Sequence, residues 1–126
     1  MPPQKNTVIF DANMILRYLL NDNAEMAKKA ENYLNQAAVA VTIEVIAEVV
    51  YVLKGVYRME RRKIADTLKA FLEIVECRDG EVLRVALETY GRENLDFVDC
   101  VLYGYHQADN VEIATFDKKL LKLLSG

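Results

Sequence analysis

Apolar residues follow two rhythms along this chain. Short β-branched runs recur at "TVIF" (7–10), "VAVT" (39–42), "IVECR" (74–78) and "VEIAT" (111–115). Each is brief and bounded by polar or turn-forming residues, which predicts buried strands. Between them, apolar residues return every three or four positions. "ANMILRYLL" after Asp11 carries Ile15, Leu16, Leu19 and Leu20 on one face, and Ala24 to Gln36 repeats through Ala27, Ala30 and Leu34. "IEVIAEVVYVLKGVY" shows Ile46, Val49, Val50 and Leu53, and "RMERRKIADTLKAFLEIVE" shows Ile64, Leu68, Phe71, Leu72 and Val75. "GEVLRVALETYGREN", "DFVDCVLYGYHQA" and the closing "FDKKLLKLL" complete a series of predicted amphipathic helices. "NDN" (21–23) ends one helix and caps the next, Thr42 caps the third, and "RDG" and "DN" are turns. Strand and helix alternate throughout. That pattern predicts an α/β protein: a three-layer α/β/α sandwich around a mostly parallel sheet of about four strands.

Composition narrows the chemistry. The 126 residues suit one domain, 1–126, with a core of ordinary size. No apolar run is long enough to span a membrane, and "MPPQKNTVIF" lacks the features of a secretion signal, so a cytoplasmic protein is expected. Cys77 and Cys100 are far apart and read as reduced, structural thiols. A single histidine, His106, leaves too few nitrogen and sulfur donors for a zinc site. Any metal chemistry must rest on oxygen ligands.

The carboxylates supply them. In open parallel sheets, ligands bind beyond the carboxyl ends of the strands. Asp11 directly follows the first strand, and Asp117 lies two residues past the last. Glu48 falls in the second turn of the helix after "VAVT", and Asp99 falls in the first turn of its own. Four distant acids are thereby expected near one sheet edge. Each also has a plain structural reading. Asp11 and Asp117 can cap the helices that follow them, and Asp96 can cap its helix with Asp99 at the N3 position. Glu48, within "VIAEVVYVL", is either partly buried or on a narrow polar stripe begun by Glu44. Clustered carboxylates tolerate one another when a divalent cation compensates their charge, and oxygen ligands favour Mg²⁺ or Mn²⁺. One such ion activates water, and two about 3.5–4 Å apart support in-line phosphodiester hydrolysis.

In order and spacing, "VIFDANMILRYLL", "VIAEVVYVL", "LDFVDCVLYGY" and "ATFDKKL" resemble the four acidic motifs of PIN-domain ribonucleases. They look most like the VapC-type toxins of bacterial and archaeal toxin–antitoxin pairs, over nearly the whole chain. The resemblance implies that Asp11, Glu48, Asp99 and Asp117 are the catalytic, metal-binding acids. Asp96 matches an additional metal-site acid, and Asn13 and Thr115 match supporting polar residues. It further implies Mg²⁺- or Mn²⁺-dependent endonucleolytic cleavage of RNA, often tRNA, together with a homodimer and inhibition by a cognate antitoxin. The sequence departs from the pattern at Glu44, where relatives usually carry an apolar residue or proline, and in the expected absence of a fifth strand after "LLKLLSG".

A net charge of −3 argues against nucleic-acid binding, but setting the four acids aside turns the balance to +1. Arg17, Lys54, Arg58, Arg61 and Arg62, with Lys63, form a local basic group able to hold a phosphate backbone; the alternative is a solvated helix face. Tyr51, Tyr57, Tyr103 and Tyr105 can stack on bases or pack in the core or a dimer. Three rival functions follow from the same pattern. A phosphoacceptor signalling domain would need a second acid after the first strand and an acceptor after the third, where only Asp79 is near. An inactive PIN-like protein-binding module would not need all four acids. A DNA nuclease would need room for a larger substrate arch.

Overall fold

The computed structural model describes residues 6–126. A short strand β1 (Thr7–Ile9) leads into helices α1 (Ala12–Leu20) and α2 (Ala24–Gln36), then into β2 (Ala38–Ala40). β1 and β2 pair in parallel with Thr7 opposite Ala38 and Ile9 opposite Ala40. The two helices are the crossover that a parallel pair requires. Their boundaries follow from local chemistry. Asn21 ends α1 in the left-handed conformation, and the Asn23 side chain accepts from the Met26 N–H to open α2. The Thr42 hydroxyl accepts from the Val45 N–H and opens α3 (Ile43–Gly55).

Beyond α3 the chain is helical: α4 (Arg61–Leu72), α5 (Gly80–Arg92), α6 (Phe97–Asp109) and α7 (Lys118–Ser125). The expected four-strand sheet is reduced to two strands among the described residues. In "IVECR" only Glu76 reaches the sheet, bridging Ala40; its N–H donates to the Val39 carbonyl and its own carbonyl accepts from Val41. The turn ending α4 and the Cys77–Gly80 turn leave one residue free to pair. "VEIAT" forms no ladder at all. Its first residue is tied to α6 instead, where the Val111 N–H donates to the Tyr105 carbonyl and the Val111 carbonyl meets His106 Nδ1 at 2.9 Å. β1 consequently has an outer edge on which Ile9 is 63% exposed.

The core joins the stripes read from sequence. Ile15 and Leu16 of α1, Ile46, Val49, Val50 and Leu53 of α3, and Ile64, Leu68 and Phe71 of α4 are buried in one cluster with α5 and α6. α5 packs against both α4 and α6. Two glycines make these crossings close. A Cβ at Gly104 would lie 2.5 Å from the Val82 carbonyl oxygen, and one at Gly91 would lie 2.8 Å from the Ala65 Cβ.

Candidate active site

β1 and β2 run in the same direction, so Asp11 and the start of α3 leave neighbouring strands at the same sheet edge. Asp11 is an exposed cap: its Oδ1 accepts from the Met14 N–H at 2.8 Å, which leaves Oδ2 free. Asn13 is exposed on the first turn of α1. Glu48 is exposed, with exposed Glu44 one turn before it and Tyr51 one turn after. The narrow polar stripe is therefore the correct one of the two readings for Glu48.

Asp96 stands at the N-cap position of α6 but makes no side-chain cap bond. The expectation that it is the N-cap of this helix holds for its position and backbone, whose carbonyl accepts from the Cys100 N–H, but not for its side chain. Its Oδ2 accepts instead from the Tyr51 hydroxyl at 3.3 Å, across from α3. Asp99, in the first turn of α6, is partly buried. Its carboxyl is pushed above the usual carboxylate range, first by loss of solvent and then by the charges of Asp117 and Asp96. Asp117 caps α7 through Oδ1, which accepts from the Leu120 N–H at 2.8 Å, so it too has a free oxygen. The Asp117 N–H donates to the Thr115 hydroxyl at 3.0 Å, fixing the turn that presents it. The charges of Asp96 and Asp117 thus reach Asp99 without the three side chains forming a cluster, and Tyr51 touches Asp96. Asp11 and α3, which carries Glu48, share the sheet edge at the ends of β1 and β2, and α3 reaches α6 through the Tyr51–Asp96 hydrogen bond.

Arg61 is partly buried and engaged within the protein. Its guanidinium lies over the Tyr90 ring, 3.8 Å from the centroid, and donates to the Tyr90 and Leu95 carbonyls. It braces the loop that enters α6. Arg17 pairs with Asp22 and donates to the Tyr57 hydroxyl, and Arg62 pairs with Asp66 and Glu88. Lys54 and Arg58 are exposed and have no ion-pair partner among the described residues. Phe116, beside Asp117, is fully exposed and carried no expected role. Tyr51, expected to stack on bases or to pack, donates instead to Asp96; its place on the Glu48 face could have been read from spacing, because residues three apart on a helix share a face.

A cavity of about 460 Å³ between the 93–95 loop and α7 is lined by Glu93, Leu95, Tyr103, Lys119 and Lys122. Asp11, Glu48, Asp96, Asp99 and Asp117 do not line it; all but the partly buried Asp99 are exposed. Comparison with curated proteins and with solved structures finds no match. The family model of the PIN domain matches residues 8–123. The chain belongs to the PIN-domain family. PIN domains are generally metal-dependent nucleases and generally bind RNA. This PIN domain offers hard oxygen donors of like charge, whose mutual repulsion a cation would relieve. Among the described residues no three acidic, histidine or cysteine side chains converge into a ready-made cage. Mg²⁺ does not require one: it keeps several waters and binds through one or two carboxylates together with substrate phosphate. The donor set fits such an ion.

Proposed function

We propose that this PIN domain is a Mg²⁺- or Mn²⁺-dependent endoribonuclease and the toxin of a VapBC-type toxin–antitoxin pair. The observation that carries the reading is Asp99, a carboxylate held partly out of water against Asp117 and Asp96 at a helix start. A charge drawn out of water is ordinarily stabilised by an ion pair or hydrogen bonds, and here the charged neighbours are acids. In this assignment Asp11, Glu48, Asp99 and Asp117 hold the cation, with Asp96 beside them. The bound ion would supply an activated water and neutralise charge on the scissile phosphate. Asp11 and Asp117 use one oxygen each to fix their helices and offer the other. Thr115 orients Asp117, and Asn13 stands next to Asp11 on α1. Exposed Lys54 and Arg58, followed by Arg17 and Arg62 where their ion pairs open, contact the phosphate backbone. The substrate is RNA, with tRNA one class, and the working form is a cytoplasmic homodimer blocked by a cognate antitoxin.

The test is incubation of purified protein with total RNA in Mg²⁺, in Mn²⁺ and in EDTA, with Asp99→Asn alongside. Discrete products that require metal and disappear in the variant are expected. Equal cleavage by Asp99→Asn would remove Asp99 from the site, and the absence of cleavage from antitoxin-free protein would favour a protein-binding module.

A further inference from the structure

An aspartate at an N-cap ordinarily turns its carboxylate back onto the amide two or three residues on. Asp96 does not. Its carboxylate faces α3, where the Tyr51 hydroxyl donates to it at 3.3 Å. The Tyr51 hydroxyl thereby gives this carboxylate a donor outside its own helix. Tyr51 is 45% exposed, so burial of its ring is not what holds it there. It sits one turn beyond Glu48 on the same face of α3, which makes it a link between the acid of α3 and those of α6.

We propose that Tyr51 is a positioning residue, whose hydroxyl frees Asp96 from capping its own helix and holds that carboxylate beside Asp99. Tyr51 acts through Asp96 and does not itself touch the cation. Outer partners of this kind orient carboxylates around an ion, and their loss typically weakens metal binding by about 10–100-fold. The assignment rests on the metal-dependent nuclease reading.

The experiment is calorimetric titration of the full chain with Mn²⁺, for wild type, Tyr51→Phe, Asp96→Asn and the double variant, with melting of each metal-free protein. Tyr51→Phe keeps the ring, so its melting temperature is expected to stay near that of wild type. Its Mn²⁺ affinity is expected to fall about tenfold. The double variant is expected to bind no more weakly than the weaker single one, because the two side chains act as one unit. If wild type binds Mn²⁺ and Tyr51→Phe binds it equally, the positioning role is overturned and the nuclease reading stands. Losses that multiply in the double variant, or a melting change with unaltered affinity, overturn it in the same way. If wild type binds no Mn²⁺, the positioning role and the metal-dependent reading fall together.

Discussion

Asp99 carries its charge under different conditions from Asp11 and Asp117. Asp11 and Asp117 are well satisfied as caps, whereas Asp99 is pressed by solvent loss and by two acidic neighbours. Its folded-state pKa lies above the unfolded value. The stability linked to this group is therefore fully present below the unfolded carboxylate pKa and is lost as pH rises through the raised folded one. At neutral pH the ionised side chain is a burden on the metal-free fold. Asp99→Asn is expected to raise the metal-free melting temperature at neutral pH while abolishing cleavage, and the gap from wild type is expected to close on acidification. Melting curves across the carboxylate range check this. Arg58 offers a complementary case. It adopts the left-handed conformation at φ 57°, which asparagine also tolerates. Arg58→Asn is expected to fold normally, to weaken RNA binding and to reduce the salt slope of binding by about one. Filter binding at several salt concentrations reads both quantities. Cys100 illustrates a group without such a role: burial pushes its thiol up to about 12, which keeps it protonated and unreactive.

At the scale of elements, the helices were legible because each carries its own instructions. Asn23 and Thr42 cap where their side chains suggest, and the stripes through Val49 and Leu53 or Ile64 and Leu68 are buried as the period requires. Strands depend on partners, and that is where the local reading ran out. "VEIAT" has β-branched residues at alternating positions, yet Val111 is bound to α6 on both its N–H and its carbonyl. "IVECR" is confined between two turns. The site shows the same division. The caps at Asp11 and Asp117 follow from sequence position, but the release of Asp96 depends on Tyr51, forty-five residues away. Close helix crossings are equally invisible along the chain. Gly104→Ala must push α6 off the Val82 carbonyl, and a loss of about 1–3 kcal/mol is expected in denaturant titration. Because α6 carries Asp99, cleavage should fall beyond what stability explains.

The whole molecule divides unevenly in how far apart its contacting parts lie in sequence. α4, α5 and α6 are consecutive, and each packs on the next. β1 and β2 meet only after the chain has traversed α1 and α2. Closing such a separation costs chain entropy before any contact repays it, so pairings distant in sequence tend to form late. The acids lie on both sides of this division, with Asp96 and Asp99 in the local block and Asp11 just past β1. Substitutions such as Leu83→Ala and Leu87→Ala are expected to slow folding, whereas Val39→Ala in β2 is expected mainly to speed unfolding; chevron plots would read the difference as high and low φ-values. A chain that assembles in this order brings Asp11 and the start of α3 to their common edge last. On the proposed assignment, a partly folded molecule holds these acids apart, and nuclease activity arises only with the final closure of the sheet.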